Sequence, residues 1–109
     1  MDVLANYFEF ASSRDKIHAK YKVAHRECII LRMVASAFHE GHSLTVSDVI
    51  QMKSIASPAT SHAALKTLIE KKLIENKSCT KDGRVKKLIP TDKAIKLYKE
   101  LGILLVRTK

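Results

Sequence analysis

The sequence predicts a mainly helical domain carrying one small β hairpin, an α+β architecture. Apolar residues recur at steps of three and four along most of the chain, which is the helical period. Two short β-prone runs, 73–79 and 84–89, flank Asp82-Gly83, a pair that favours a tight hairpin turn. Three Gly and two Pro among 109 residues are too few turn formers for an all-β fold. That length corresponds to a single domain, 1–109, able to bury a modest core.

The first segment, Asp2 to about Ser12, sets Leu4, Tyr7, Phe8 and Ala11 at helical spacing, with Phe10 off that stripe. A helix this short does not stand alone in water and must pack on something. Ser12, Ser13 and Asp15 either cap a new helix or interrupt the first. A second helix runs from Ile17 to near Glu40 on the stripe Ile17, Tyr21, Ala24, Cys28, Leu31, Ala35 and Phe38. Ile30, Val34 and Ala37 widen that stripe, and Gly41 stops the helix. It is weakest between Lys20 and Lys22, where a break would fall.

Ser43-Leu44-Thr45-Val46 reads as a short strand, and Ser47 then caps a short helix bearing Val49, Ile50 and Met52. Ser57-Pro58 is a strong helix start, with Ser as N-cap and Pro at the first helical position. This helix runs to about Lys72 with Leu65, Leu68 and Ile69 inward and Ser61 and Ala64 on the same side. Ala59, Thr60, Ala63, Lys66 and Thr67 face away, and His62 sits on the boundary. After the hairpin, Thr91 caps a last helix with Asp92 in its first turn and Ala94, Ile95, Tyr98 and Leu101 inward. Gly102 weakens it before the apolar run Ile103-Leu104-Leu105-Val106.

The order helix, helix, strand, helix, helix, strand, strand, helix is that of a winged helix-turn-helix. In such a fold the second of two short helices enters the major groove of DNA, where short polar side chains near its start reach base edges. The hairpin beside it reaches phosphates or the minor groove. Charge placement agrees. The net charge is +9, yet residues 1–52 sum to zero while residues 53–99 hold twelve Lys or Arg against four acids. A neutral half joined to a basic half reads as a scaffold plus a surface for a polyanion.

Ser57-Pro58-Ala59-Thr60, Leu68, Leu73-Ile74, Asp82-Gly83-Arg84, Leu88 and Pro90-Thr91 resemble the MarR-type winged-helix transcription regulators, with Glu27, Ile30 and Leu31 fitting that family's second helix. The resemblance covers residues 23–101, and in size the chain is similar to the short staphylococcal accessory regulators. It implies that Arg84 enters the minor groove and that Thr60, His62 and Ala63 face the major groove. Many members carry Arg where Ala63 stands and Gly where Lys72 stands.

The expected DNA-binding set is therefore Ser57, Ala59, Thr60, His62, Ala63, Lys66 and Thr67 on the helix, and Lys81, Arg84, Lys86 and Lys87 on the wing, with Asp82 and Gly83 shaping the wing tip. Segments 1–22 and 91–109 are expected to dimerise through Leu4, Tyr7, Phe8, Leu101, Leu104 and Leu105, and 44–90 to form the helix-turn-helix and wing. The function implied is a sequence-specific regulator acting on double-stranded DNA as a homodimer. The alternative is a winged-helix module that binds only protein.

No Ser-His-Asp order, paired carboxylates or phosphate loop supports an enzyme, and no cofactor is expected. His39 and His42 lack a third metal ligand. Cys28 on an apolar face reads as a small hydrophobe rather than a redox sensor, and Cys79 as structural filler. No stretch has the roughly 18 apolar residues of a membrane span, and no export signal is seen, so a cytoplasmic, nucleoid-associated protein is expected. The short dimerisation region leads us to expect a small pocket or none, hence no small-molecule effector.

Overall fold

The computed structural model describes residues 2–78 and 86–107. Along the chain these form α1 (Val3–Lys20), α2 (His25–His39), α3 (Val46–Ile50), α4 (Pro58–Glu70), β1 (Ile74–Ser78), β2 (Lys86–Pro90) and α5 (Asp92–Arg107). This is the winged-helix order, mostly helical with a two-stranded antiparallel sheet.

Local chemistry starts each helix. The Asp2 carboxylate accepts from the Ala5 N–H at 3.1 Å and caps α1. Ser12 and Ser13 do not interrupt it; the helix runs through them to Lys20. The long helix expected from Ile17 to Glu40 is thus two helices, divided at residues 21–24. The division shifts the helical phase, so Ile30, Leu31, Val34 and Ala37 form the buried face of α2, while Phe38 is exposed. For α3 the cap is Thr45, not Ser47. The Thr45 hydroxyl accepts from the Asp48 N–H at 3.1 Å, and the Asp48 carboxylate accepts from the Thr45 N–H at 2.9 Å. The strand expected over 43–46 reduces to one bridge, Thr45 to Lys87, because Thr45 turns the chain into α3. At α4 the Ser57 hydroxyl accepts from the Thr60 N–H with Pro58 in the first turn, as the sequence predicts.

Three helices end alike. In α1, Lys22 N–H donates to the Ala19 carbonyl and Val23 N–H to that of His18, both at 3.0 Å. Lys72 to Ile69 and Leu73 to Leu68 repeat the pattern after α4, and Gly41 to Phe38 and His42 to Ala37 repeat it after α2. This paired closure needs a left-handed residue just past the helix, usually Gly. Gly41 supplies it with φ 97°, but Lys22 and Lys72 adopt φ 58° and 62° as lysines.

The core gathers Ile30, Leu31 and Val34 of α2, Val49 of α3, Leu65 and Leu68 of α4, Leu73 and Ile74 before and in β1, Leu88 of β2, and Ala94 and Leu97 of α5. Leu97 is fully buried although it is absent from the expected inward set; Ile95, Tyr98 and Leu101 are only partly covered. In the hairpin, Ile74 pairs with Pro90 and Ser78 with Lys86. Its buried side chains, Ile74, Leu88 and Pro90, lie at the end nearest the helices, and residues 75–78, 86 and 87 are exposed. α1 buries no residue in this core and packs against α5. The Glu100 carboxylate joins them, accepting from Lys20 Nζ at 2.8 Å and from the Tyr21 hydroxyl.

Candidate nucleic-acid interface

α4 presents its outer face because its inner one is committed. Ser61, Leu65 and Leu68 are buried, leaving Ala59, His62, Ala63 and Lys66 exposed at helical spacing on the opposite side. This stripe spans about 10 Å along the helix axis, roughly three base-pair steps. Thr60 stands half-buried at its leading edge.

Hydrogen bonding sorts the expected set by role. The Ser57 hydroxyl donates to Thr60 Oγ1 at 2.9 Å while accepting the Thr60 N–H, so Ser57 is a cap. Thr60 accepts that bond and keeps its own hydroxyl proton to donate outward. Thr67 donates its hydroxyl to the Ala63 carbonyl at 3.0 Å, turning its polar atom back onto the helix. His62 and Lys66 then carry the outward nitrogen functions of the stripe.

On the hairpin, Lys86 and Lys87 are exposed. Lys87 sits directly opposite Lys77, placing two ammonium side chains on one face of an antiparallel pair. That face of the hairpin is therefore basic. The expected wing-tip residues Lys81, Asp82, Gly83 and Arg84, together with Cys79, lie outside the described residues.

The residues expected to dimerise divide between two helices. Leu4, Tyr7 and Phe8 on α1 are exposed, the two rings meeting edge to face with centroids 5.6 Å apart. On α5, Leu105 is exposed, Leu104 half-buried, and Leu101 packs against the core. Val3, Ile103 and Val106, also exposed, extend both apolar surfaces.

Sequence reasoning missed a cavity of about 450 Å³ between α1, α2 and α5, where it led us to expect a small pocket or none. Arg14, Asp15, His18, Cys28, Arg32 and Tyr98 are among its lining, with the Arg14 guanidinium 3.5 Å from the Asp15 carboxylate. His18 Nε2 lies 3.3 Å from Cys28 Sγ, and the buried Tyr98 hydroxyl has no hydrogen-bond partner among the described residues. Burial pushes the Cys28 thiol up and, with help from the Arg14 charge, the His18 imidazolium down, so both are held neutral. That is the environment of an inert thiol, although Cys28 is only partly buried. The lining comes from three separate helices, so no local spacing in the sequence marks it. Among the described residues no cluster of three or more His, Cys, Asp or Glu could hold a metal ion, and no helix is long and apolar enough to cross a membrane.

The sequence profile of the winged helix DNA-binding domain family matches residues 23–94. No curated protein matches the chain by sequence. Among solved structures, a MepR–DNA complex from S. aureus superposes with a TM-score of 0.74 at 20% identity, covering 93% of this chain and 79% of that one. A MarR protein from Peptoclostridium difficile gives 0.61 at 19% identity, with 99% and 70% covered. S. aureus MarR in complex with salicylate and kanamycin gives 0.65 at 22% identity, with 95% and 66% covered. The fold is that of the MarR-type regulators.

Proposed function

Because this chain belongs to the winged helix DNA-binding domain family, we propose that it is a sequence-specific regulator of transcription that binds double-stranded DNA as a homodimer. One observation carries the reading: the exposed outer stripe of α4, which bears His62 and Lys66, belongs to the same domain as a hairpin whose strands bear Lys77, Lys86 and Lys87. Thr60 and His62 read base edges, and Lys66 reaches a base or a phosphate. Lys81, Lys86 and Lys87 line the wing and hold the backbone, and Arg84 enters the minor groove, with Asp82 and Gly83 as wing-tip structural residues. Ala59 and Ala63 make apolar contacts, such as with thymine methyl groups. A two-fold pairing through the exposed ends of α1 and α5 covers Leu4, Tyr7, Phe8 and Leu105 and sets two recognition helices about 34 Å apart.

The fold and family are those of regulators, and the reading assigns no catalytic step. Two alanines among the four exposed stripe positions favour the second reading, a module that binds only protein. Selection of duplexes from a random pool, followed by mobility shift across a salt series, separates the two. A regulator enriches one sequence and loses affinity steeply with salt; a protein-binding module enriches none.

The cavity adds an element that chain length did not suggest. Its volume lies within the ligand-binding range, and although Arg14 is paired with Asp15 on the same wall, the Arg32 guanidinium and the Tyr98 phenol suit a small organic anion. Titration with sodium salicylate at constant ionic strength, followed by release of the bound duplex, tests this element. Retention of DNA at millimolar salicylate restores the expectation of no effector.

A further inference from the structure

Lys71 is the C-cap of α4, at the opposite end of that helix from Thr60 and about 16 Å away at 1.5 Å per residue. Its ammonium makes two bonds, both to distant parts of the chain. It donates to the Lys22 carbonyl at 2.6 Å and to Glu27 Oε1 at 2.7 Å. Lys22 is the left-handed residue that ends α1, and Glu27 is the first-turn acid of α2 whose carboxylate also accepts from the Ala24 N–H at 3.3 Å. One side chain thus gathers the end of α1, the start of α2 and the end of α4.

The same end of α4 is gripped from α5. Lys93 Nζ donates to the Lys71 carbonyl at 3.1 Å, and the Thr91 hydroxyl donates to the Lys72 carbonyl at 2.6 Å. Both left-handed lysines, Lys22 and Lys72, therefore have their carbonyl oxygens held by a side chain from another element. Such backbone persists in a residue other than Gly only where its surroundings over-determine it. The Lys71 and Glu27 side chains are only 30% and 13% exposed, so solvent screens this pair less than a surface one.

We propose that Lys71 is a positioning residue for DNA recognition: its bonds to Lys22 and Glu27 fix the angle between recognition helix α4 and the α1–α5 pair, and so the separation of the two recognition helices in the dimer. This rests on the DNA-binding reading above. Lys71 touches no phosphate in this arrangement, because it faces the α1–α2 turn at the far end of α4.

The test compares the wild-type 109-residue chain with Lys71→Met, Glu27→Gln and the double variant. Without DNA, amide hydrogen exchange is followed at residues 21–27 and 68–73. Each single variant should speed exchange in both segments together, about tenfold for Lys71→Met and less for Glu27→Gln, and the double variant should add nothing. Change confined to one segment, or additive change, overturns the clamp. With DNA, binding is measured on the duplex that the wild type selects, on a scrambled duplex of equal length, and on versions with half-sites moved by one and two base pairs. Lys71→Met should lose about tenfold on the selected duplex, less than twofold on the scrambled one, and tolerate altered spacing better than the wild type. Its salt slope should match the wild type, whereas a phosphate-contacting lysine lowers that slope by about one unit. A lowered slope, or an unchanged affinity and spacing profile, overturns the positioning role. If the wild type selects no duplex, the DNA-binding reading falls, and the exchange measurement alone decides whether the clamp exists.

Discussion

Replacing Lys72 by Gly should stabilise the protein, although it removes an entire side chain. Lys72 adopts φ 62° and is exposed, and the bonds at this position are backbone ones, from its N–H to Ile69 and from the Thr91 hydroxyl to its carbonyl. Gly keeps both. A left-handed conformation costs an L-residue about 1–2 kcal/mol, and Gly avoids this. Against that, Gly gives the unfolded chain extra freedom worth about 0.5–1 kcal/mol. The balance is a gain of about 0.5–1 kcal/mol, which for a domain of this size raises Tm by about 2–6 °C. Gly41 provides the converse. It has φ 97° and nothing within 4 Å of where a Cβ would stand, so Gly41→Ala changes backbone energy alone and should cost about 1 kcal/mol. Thermal and urea unfolding followed by circular dichroism, at one fixed protein concentration because self-association makes Tm depend on it, measures both. A lower Tm for Lys72→Gly, or an unchanged one for Gly41→Ala, refutes the reasoning, since no side-chain packing is available to explain either result.

The remaining predictions concern the core, the site, the charged groups and the assembly. Leu97→Ala empties a fully buried position and should cost about 2–5 kcal/mol in urea unfolding, a large part of a small domain's stability. Lys86→Ala should weaken all duplexes alike and lower the salt slope by about one unit, whereas Thr60→Ala should cost about 1–3 kcal/mol on the selected sequence only; equal effects on both duplexes from Thr60→Ala count against base reading. Hydrogen bonds from Lys20 and Tyr21 hold the Glu100 carboxyl below its ordinary range, so its stabilisation is present above the unfolded pKa and fades as pH falls through the folded one. Burial lowers His18 likewise, so stability also declines as pH falls below the ordinary histidine value; Glu100→Gln should flatten the first limb of a stability-against-pH curve and His18→Gln the second. Sedimentation at micromolar concentration should show a dimer, and deletion of residues 1–10 should shift it toward monomer.

The elements legible in the sequence are those whose cause is local. Ser57-Pro58 and Thr91 start their helices through bonds that span three residues, and the structure holds both. The outer stripe of α4 was readable for a related reason: once Leu65 and Leu68 are inward, helical geometry dictates what is outward. Where causes are distant, the reading went astray. Both Thr45 and Ser47 have a hydroxyl suited to a cap, but the Leu88 N–H donates to the Leu44 carbonyl at 2.8 Å and holds the chain extended up to Thr45. α5 touches both α1 and β2, so its covered arc is wider than a single stripe, and Leu97 falls within it as part of the core. α1 has no buried residue, so apolar periodicity carried no information about where it ends. Its end is set by a left-handed lysine whose carbonyl is held by Lys71, 49 positions along the chain. Neither Lys22 nor Lys72 announces such a turn, because the usual sign is Gly and the substitute is a bond from elsewhere in the fold. The face proposed to meet DNA is therefore written locally, in one helix and one hairpin, while the angle at which that face is presented is written in contacts between residues far apart in sequence. Substitutions along α4 should accordingly change which sequence is read, and substitutions at Lys71, Glu27 or Thr91 should change whether two half-sites are read together.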